Sequence, residues 1–403
     1  MRKRRLLALS YVFPPVAAAE AHLIAKRLAH LQGWDIDVIA ASHDALGAGR
    51  DDDLCGYAEA AVRSVTRVTP IPLIPWSRLR LLSRIPDPSR YMNHRVARAA
   101  KTLGIDKFDA MLSWSQYHSI HLAALQLKRL RPGLPWLAHF SDPWVDNPYT
   151  SAAGLERLIN AHLEQRVIGA ADRLLFTSDE TVDLVMAKYP SIWRQKVRVI
   201  PHGFDAALYS GEAPPPFPGR QLVARYIGGF YGPRSPAPFY RALALALEQR
   251  PSLAKEVSVE IVGQSQFPDD PSLLQALPPG LVIAHPPVGY LESLRLIETA
   301  DLLIVIDAPA ECSVFFPSKL IDYLGSGRPI VALTPKGVSA RVVSDAGYPI
   351  ADPGNAEKAA DALIAGFEHA RRAGARRSPA PEIFTSANTG AKLAAVLDEM
   401  MVS

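Results

Sequence analysis

Residues 302–333 constrain the fold of this chain more than any other segment, because they alternate between apolar runs and a short amphipathic stretch. The first run, Leu302–Ile306, has no polar residue, which is typical of a strand buried on both faces of a parallel sheet. Pro317 and Ser318 then provide a helix start, and Gly325 and Gly327 with Pro329 provide a helix stop. Ile330–Leu333 is a second apolar run. A strand, a helix and a second strand in this order predict a parallel sheet covered by helices.

The predicted helix after Pro317 carries polar chemistry on one face. At about 100° per residue, Lys319, Asp322 and Tyr323 lie on the same side, while apolar residues fill the opposite side. A cation and a carboxylate then lie near a helix N-terminus at the carboxyl end of a parallel strand. Doubly wound α/β proteins bind phosphates and ribose hydroxyls at such places. The spacing is equally compatible with an ordinary surface helix that carries one Lys–Asp pair.

Length and composition predict two globular domains. A chain of 403 residues exceeds what one hydrophobic core usually supports, so we expect two α/β domains of roughly 200 residues each. The apolar share of 48% and the charged share of 21% are typical of soluble proteins. Two cysteines, Cys55 and Cys312, argue against a disulfide framework and favour a reducing, cytoplasmic location. No apolar run approaches the ~18 residues of a membrane-spanning helix.

The N-terminal segment superficially resembles a secretory signal, since basic residues 2–5 precede an apolar stretch and the small residues 16–19. However, Pro14 and Pro15 interrupt the apolar stretch, and residues 22–31 follow at once with the pattern of an amphipathic helix. We therefore interpret this segment as the first strand–loop–helix unit of a cytoplasmic protein.

Similar alternation along the rest of the chain predicts two parallel sheets. In the first half, the predicted strands are 6–11, 37–41, 110–113, 136–140, 173–177 and 197–200, and the predicted helices are 91–103, 120–130, 152–168 and 181–188. In the second half, the predicted strands are 222–227, 257–262, 281–284, 302–306 and 330–333, and the predicted helices include 237–248, 291–299 and 387–401. Between the halves, the Pro-rich and non-periodic residues 211–219 are typical of a linker.

Six segments of the chain resemble one protein family in their order and spacing. They are SYVFPPVAAAEAHLIAKRLA at 10–29, PWLAHFSDPW at 135–144, KVRVIPHGFD at 196–205, RYIGGFYGPRSP at 225–236, ADLLIVID at 300–307 and FFPSKLIDYLGSGRPIVAL at 315–333. Together they are similar to the retaining glycosyltransferases of family 4, which have the GT-B fold. The resemblance covers nearly the whole chain.

This resemblance implies an α/β, GT-B architecture with two Rossmann-like, doubly wound domains that face each other across a cleft. It implies that an N-terminal domain, residues 1–213, binds the acceptor, and that residues 214–385 bind a nucleotide-diphosphate sugar. Residues 386–403 are expected to form a helix that crosses back to the N-terminal domain.

The resemblance also implies residues for the donor site. Arg234 and Lys319 match basic residues that contact the donor diphosphate, and we expect both to act in catalysis. Cations aimed at a diphosphate leaving group stabilise the transition state, where negative charge grows, more than the ground state. Gly228 and Gly229 would let the backbone approach a phosphate closely. The remaining expected donor-binding residues are Gln264, Val288, Phe316, Pro317, Ser318 and Asp322.

Asp322 stands where relatives usually have a glutamate that accepts hydrogen bonds from the ribose hydroxyls. Its shorter side chain requires a closer helix or a bridging water. A companion glutamate, eight positions earlier in relatives, is replaced by Val314, and Glu311 is not its simple equivalent. In relatives with a Pro-Ser-Lys sequence, backbone groups near Phe316 and Pro317 are the alternative way to hold the sugar hydroxyls.

On the acceptor side, the expected catalytic residues are His139 and Asp142. Many relatives have a histidine at about the position of Ser141. Because side chains alternate along a strand, His139 and Ser141 share a face. An equally good interpretation of His139 is a hydrogen-bonded histidine of the sheet. Alanines at 17–19 replace glycines that relatives often have in the first loop, which leaves less room for a phosphate.

We expect that the enzyme needs no metal, because Arg and Lys residues would handle the phosphate charge, and no cofactor besides the nucleotide-diphosphate sugar, which is its donor substrate. Asp35 and Asp37 formally match a metal-binding Asp-x-Asp motif, but they begin an apolar strand, so chance explains the match better. No Cys/His cluster has zinc spacing. Retention of the anomeric configuration, by front-face attack assisted by the donor phosphate, is implied by the resemblance.

The charge distribution adds a partner hypothesis. Residues 63–101 concentrate basic and interleaved apolar side chains against one acidic residue, Asp87, although the net charge of the chain is only +4. Such a surface suits an anionic membrane, and hence a peripheral location on its inner face. A solvated helical face with arginine stems covering apolar surface explains the pattern equally well. No nucleic-acid-binding module accompanies the region, so we expect no nucleic-acid partner.

These features predict a cytoplasmic, hexosyltransferase-like enzyme that moves a sugar from a nucleotide-diphosphate sugar to a glycan or lipid-linked acceptor, in polysaccharide or glycolipid biosynthesis. Two alternatives stay open. One is a catalytically degenerate GT-B protein that binds a nucleotide sugar or a partner, and the other is a GT-B sugar-nucleotide epimerase. The nucleobase, the sugar and the acceptor are not readable from the sequence.

Overall fold

The computed structural model describes residues 3–69, 85–150, 153–215, 220–263 and 271–402. The chain divides into two compact units, one formed by residues 1–203 with 386–403 and the other by residues 204–385. Parts of the sequence predictions lie outside the described residues: positions 70–84 of the basic region, position 152 of the predicted helix 152–168, positions 216–219 of the linker, and Gln264.

The first unit is built on a parallel sheet whose described strands lie in the order β3-β2-β1-β4-β5-β6-β7. The strands are β1 (Arg4–Leu9), β2 (Trp34–Ala41), β3 (Ser64–Val68), β4 (Ala110–Trp114), β5 (Trp136–Phe140), β6 (Arg173–Phe176) and β7 (Val197–Val199). Every residue of the adjacent strands β4 and β5 is buried, including the polar Ser113 and His139, as expected for a parallel sheet covered on both faces. The strand order reverses between β1 and β4.

Helices cover this sheet. They are α1 (Ala19–Ala29), α2 (Cys55–Ala61), α3 (Asn93–Thr102), α4 (Ile120–Leu130), α5 (Gly154–Ala170), α6 (Asp179–Met186) and, at the end of the chain, α14 (Ser386–Val402). The last helix belongs to this unit, where it packs on α1. Glu399 of α14 forms ion pairs with Arg173, at 2.9 Å, and with Arg198. Leu393 and Leu397 of the same helix are fully buried, so apolar packing holds it in place.

The second unit repeats the same design. Its main parallel sheet has the order β10-β9-β8-β11-β13-β15 among the described strands, and a separate parallel pair joins β12 to β14. The strands are β8 (Leu222–Ile227), β9 (Val257–Val262), β10 (Val282–His285), β11 (Leu302–Ile306), β12 (Cys312–Ser313), β13 (Ile330–Leu333), β14 (Lys336–Gly337) and β15 (Ile350–Ala351). The helices are α7 (Ala237–Gln249), α8 (Leu253–Glu256), α9 (Pro271–Gln275), α10 (Tyr290–Glu298), α11 (Ser318–Ser326), α12 (Val338–Asp345) and α13 (Ala356–Ala373).

Candidate functional site

The second unit places some of its predicted donor residues, Gly228 and Arg234 among them, where its strand order reverses. β8 and β11 are neighbours in the main sheet. The next strand of this sheet after β8 is β9 and the next after β11 is β13, and these two strands lie on opposite sides of the pair. The loop after β8 begins at Gly228, and Asp307 directly follows β11. In doubly wound sheets, ligands bind in the crevice outside the carboxyl ends of strands at such a switch point.

Two glycines bring backbone segments close together at this edge of the sheet. Gly228 and Gly263 follow the adjacent strands β8 and β9, and their φ angles are +140° and +142°. A Cβ atom on Gly263 would lie 2.2 Å from the Gly228 carbonyl oxygen, so a larger residue does not fit. A Cβ atom on Gly228 would lie 3.1 Å from Nζ of Lys319. Because both residues are glycines, the loop after β8 can lie close to the end of β9 and to the Lys319 ammonium.

Arg234 is held at the switch point by a buried ion pair. Its Nη2 donates to Oδ1 of Asp307 at 2.8 Å, and the two side chains are 5% and 1% exposed. Thr334 Oγ1 donates to the other carboxylate oxygen at 2.9 Å. The guanidinium also lies over the ring of Tyr231, 5.4 Å from its centroid. Because both oxygens of Asp307 have donors, the carboxylate is fixed and in turn orients one edge of Arg234.

Lys319 is the second cation of this cluster. Its Nζ donates to the Tyr226 hydroxyl at 2.5 Å and lies 3.8 Å from the centroid of that ring. Burial, and then the neighbouring Arg234 cation, lower the pKa of Lys319 well below its ordinary value, while Asp307 opposes this shift. Among the described residues, no carboxylate forms an ion pair with Lys319.

The helix that carries Lys319 begins and ends where the sequence predicts. Pro317 precedes α11 in an extended conformation, and Gly327 follows it with a φ of +68°. Lys319 therefore lies in the first turn, where backbone N–H groups point out of the helix and the helix dipole is positive. A cation in that turn adds to the positive potential instead of offsetting it, and this arrangement favours an anion.

Asp322 and Lys319 of α11 have different partners. Tyr290 Oη donates to Asp322 Oδ1 at 3.0 Å, and Tyr209 Oη donates to the Asp322 backbone carbonyl at 2.8 Å. Asp322 is only 6% exposed, so the alternative of a solvated surface helix with a Lys–Asp pair is wrong. Tyr290 is a further polar residue next to a predicted ribose ligand, and the sequence pattern did not indicate it.

The other predicted donor residues differ in exposure. Phe316 is 5% exposed and its ring meets Phe384 edge-on, with 5.7 Å between centroids. Pro317 and Ser318 are half-buried at the start of α11. Val288, shortly before α10, is 40% exposed.

In the first unit, the predicted catalytic residue His139 lies in β5 and is fully buried. Its ring lies against Trp114, with 4.4 Å between centroids, and neither ring nitrogen has a hydrogen-bond partner among the described residues. Burial, followed by the charge of Arg27, lowers the pKa of His139 well below its ordinary value, so the imidazole is neutral at pH 7. Asp142, in the loop after β5, is half-buried.

A buried carboxyl group that the sequence did not indicate lies near these residues. Glu20, at the start of α1, is 7% exposed and accepts hydrogen bonds from Ser141 Oγ, at 2.8 Å, and from Trp114 Nε1. Burial raises the pKa of Glu20 to about 7, although the bond from Ser141 opposes the shift. The loops after β1 and β4 leave the sheet at its own switch point, so Glu20 and Trp114 occupy the corresponding edge of the first unit.

Several described arginines of the basic region are bonded to other protein groups. Arg63 pairs with Asp37 at 3.3 Å, and Arg67 donates to three backbone carbonyls. Arg90 and Arg95 donate to groups within the region itself. Positions 70–84 of this region are not among the described residues. Across the residues that the structure covers, no helix combines the length and the apolar character needed to cross a bilayer.

Known sequences give two matches. Residues 20–208 match Glycosyltransferase Family 4. A D-inositol 3-phosphate glycosyltransferase from Streptomyces griseus subsp. griseus is 26% identical over 206 residues, which are 44% of this chain and 43% of that protein. The match thus spans less than half the length of this relative.

Solved structures extend the likeness to the whole chain. A glycosyltransferase from Rickettsia africae ESF-5 aligns with 100% of this chain and 99% of its own, with a TM-score of 0.62 and 11% identity. A Listeria monocytogenes protein described as a UDP-N-acetylglucosamine 2-epimerase aligns with 100% of this chain and 98% of its own, with a TM-score of 0.57 and 12% identity. At such low identity, the likeness concerns the fold alone.

The two doubly wound sheets and these structural likenesses define an α/β protein of the GT-B fold. Within that fold, residues 20–208 are similar to Glycosyltransferase Family 4, and the chain is similar to one named glycosyltransferase over 206 residues.

Proposed function

We propose that this protein transfers a sugar from a nucleotide-diphosphate sugar to a glycan or lipid-linked acceptor. One observation carries the proposal: Arg234, Lys319 and the loop at Gly228 converge at the switch point of the second sheet. A diphosphate is typically bound by cations, by the N-terminus of a helix and by a glycine loop whose backbone can approach the phosphate closely. All of these features are present here. The matches to Glycosyltransferase Family 4 and to a named glycosyltransferase support a sugar as the transferred group.

The development of charge explains how these residues would promote transfer. As the bond between sugar and diphosphate breaks, negative charge grows on the phosphate oxygens. Asp307 already orients Arg234, so this cation requires little reorganisation at that moment. Lys319 has no carboxylate in an ion pair among the described residues, so its charge is available to the diphosphate. Both interactions would strengthen toward the transition state and so accelerate the reaction.

We assign the rest of the donor to the neighbouring groups of the second unit. Asp322, held by Tyr290, would accept hydrogen bonds from the ribose hydroxyls. Because Val314 cannot bind a hydroxyl, backbone groups at Phe316 and Pro317 would hold the sugar instead. Gly229, Ser318, Val288 and Gln264 complete the proposed donor site.

For the acceptor we propose the first unit, with His139 and Asp142 and with the additional carboxyl group of Glu20. The buried, neutral His139 would act as a hydrogen-bonding group and not as a cation. We further propose that transfer retains the anomeric configuration and needs no metal, because Arg234 and Lys319 supply the positive charge that a metal would otherwise provide.

A donor screen tests the proposal. The purified protein is titrated with UDP-, GDP-, ADP- and TDP-sugars by calorimetry, and release of the nucleoside diphosphate is then measured with and without EDTA. One class of donor should bind and should be transferred or slowly hydrolysed, at the same rate in EDTA. Lys319→Ala is the matched control, which should stay folded by circular dichroism but lose most of the release.

Other outcomes of the screen identify other functions. Tight binding without release would indicate a nucleotide-sugar-binding protein, for which the replacement of a glutamate by Val314 is the supporting observation. Conversion of the donor into an isomeric nucleotide sugar without an acceptor would identify an epimerase, which the fold likeness to the Listeria protein supports. Failure to bind every donor would contradict a nucleotide-sugar enzyme.

We also propose a peripheral membrane location, supported by the excess of arginines in residues 63–101. Sedimentation with vesicles tests it. The protein should sediment with vesicles that contain about 30% phosphatidylserine and be released by salt, since each well-placed cation contributes about 1 kcal/mol. Equal sedimentation with neutral vesicles would contradict an electrostatic contact.

A further inference from the structure

Tyr226 connects the two elements that form the phosphate end of the proposed site. Its hydroxyl donates to the Gly229 carbonyl at 3.1 Å and accepts from the Lys319 ammonium. The residue is fully buried in β8, and its ring stacks on Phe230 with 4.4 Å between centroids and 5° between planes. Both the ring and the hydroxyl direction are therefore fixed by packing and hydrogen bonding.

We propose that Tyr226 is a positioning residue for nucleoside-diphosphate binding: its hydroxyl holds the Lys319 ammonium and the Gly229 loop in one geometry. The inference rests on the proposed function, because it concerns how the diphosphate site is organised. It assigns a role to a strand residue that would otherwise be taken for part of the hydrophobic core.

The chemistry of the hydroxyl supports this role. A phenol hydroxyl can donate one hydrogen bond, and Tyr226 donates it to the Gly229 carbonyl oxygen. The oxygen lone pairs of Tyr226 can therefore accept a hydrogen bond from the Lys319 ammonium. Burial raises the pKa of Tyr226 well above its ordinary value, and the phenol keeps this proton throughout the physiological range.

The charges around Lys319 explain why it needs such a partner. Arg234, from the loop after β8, repels the ammonium, and Asp307, after β11, attracts it but is already bonded to Arg234. Tyr226 is the group that bonds Lys319 directly in the described structure. Without the hydroxyl, the ammonium would face Arg234 with only the ring beneath it, and a flexible lysine would leave this position.

The test is a double-mutant cycle on affinity for UDP, GDP, ADP and TDP, measured by calorimetry beside the corresponding monophosphates. Tyr226→Phe keeps the stacked ring and removes one oxygen atom. It should weaken binding of the diphosphate by about tenfold and that of the monophosphate much less, as the loss of a buried hydrogen bond implies. In the Lys319→Ala background, the same substitution should change the affinity by less than about twofold, because its effect passes through Lys319.

Tyr323→Phe is the control for a structural effect. The Tyr323 hydroxyl, from α11, accepts from the Ile227 amide at the end of β8, at 2.8 Å. The substitution therefore removes a buried hydroxyl next to the same end of β8 but removes no hydrogen bond to Lys319. The effect of this control should be the same in both backgrounds. If Tyr226→Phe also acts equally in both, the inference is overturned while the proposed function stands. If the wild type binds no diphosphate, both are overturned.

A measurement on the wild type does not depend on the folding of a variant at Tyr226. Because Lys319 Nζ lies 3.8 Å from the centre of an aromatic ring, its ε-methylene protons should resonate upfield of an ordinary lysine. Lys319→Arg assigns the signal by its disappearance. A Lys319 signal at the ordinary position would overturn the geometry on which the inference rests.

Discussion

At the scale of single residues, Asp307 shows how one buried carboxylate organises the proposed donor site. Both of its oxygens have donors, from Arg234 and Thr334, and it is 1% exposed. The sequence does place an acidic residue directly after the apolar strand Leu302–Ile306, at the carboxyl edge of the sheet. That position is the signal by which Asp307 could have been found.

We expect Asp307→Ala to destabilise the protein by about 3–5 kcal/mol, because it leaves the buried Arg234 cation without its partner. Denaturant unfolding measures the change. The control is Glu292→Ala, which breaks an ion pair to Arg295 whose side chains are 50% and 57% exposed. That substitution should change the free energy of unfolding by less than about 1 kcal/mol. Equal effects of the two substitutions would contradict a special role for the buried pair.

Glu20 predicts a particular dependence of stability on pH. Its pKa is about 7 in the folded protein against 4.5 ordinarily, so the folded state holds the proton more tightly than the unfolded state. The resulting stabilisation is fully present below about pH 4.5 and is lost as the pH rises through 7, with a total of about 3 kcal/mol. Glu20→Gln cannot ionise and should lack this loss. Between pH 5 and pH 8, the free energy of unfolding of the variant should therefore rise relative to that of the wild type, as measured by denaturant unfolding. Parallel pH profiles of the two proteins would contradict a raised pKa of Glu20.

We expect the Lys319 amine to take up a proton when a nucleoside diphosphate binds. Its pKa is lowered in the free protein, and a bound diphosphate would raise it again by adding negative charge. Nucleoside-diphosphate affinity should therefore fall as the pH rises through the lowered pKa. Calorimetry in buffers of different ionisation enthalpy measures the uptake directly. It should disappear in Lys319→Ala, and a wild type that binds without uptake would argue against the lowered pKa.

At the scale of elements, the close approach of the β8 and β9 loops predicts the effect of one added methyl group. Gly263→Ala should cost about 2–5 kcal/mol of stability and weaken nucleoside-diphosphate binding, since its Cβ would meet the Gly228 carbonyl at 2.2 Å. Gly280→Ala is the matched control, with a φ of +79° but nothing within 4 Å of its Cβ. It should cost only about 1 kcal/mol and leave binding unchanged. Similar losses in both variants would show that backbone strain, and not the contact, matters.

The buried strands of the second unit were predictable from the sequence because short segments rich in apolar and β-branched residues, continuous or alternating with polar ones, are typical of strands. Leu222–Ile227, Val257–Val262, Leu302–Ile306 and Ile330–Leu333 all have the predicted bounds. Ser64–Val68 was missed because it is an edge strand with polar alternate residues and mostly half-buried positions. Helix α13 was missed because alanine and glycine form much of its buried face, so the segment as a whole has little apolar character although its buried residues recur at helical spacing.

At the scale of the whole molecule, the motif resemblance indicated the charged residues of the proposed donor site but not the residues that hold them in place. Arg234 and Lys319 follow from the motif resemblance, and the structure brings them together around Gly228. Tyr226 was not predictable, because a tyrosine in a buried strand looks like core until the register places its hydroxyl beside a particular lysine. Glu20 was not predictable either, since a glutamate in the first turn of a helix is usually solvated.

The residues of the second unit indicate one class of ligand, whereas those of the first unit do not. In the second unit, hydrogen bonds fix Arg234 and Lys319, which we propose as the phosphate end of the site, and separately fix the carboxylate of Asp322. In the first unit, the proposed acceptor residues His139 and Asp142 have no comparable signature of one ligand class. The identity of the acceptor must therefore come from experiment, whereas the diphosphate is a specific structural expectation.

Calorimetric titration of the wild type and Lys319→Ala with the nucleoside diphosphate of the preferred donor is the most direct test of that expectation. The substitution should weaken binding by about 1.5–3 kcal/mol, the range for hydrogen bonds to charged groups, which is a factor of roughly 10–150 in Kd. The circular dichroism of the two proteins should be the same. An unchanged affinity in the folded variant would remove Lys319 from the site and contradict the account of how this protein binds its donor.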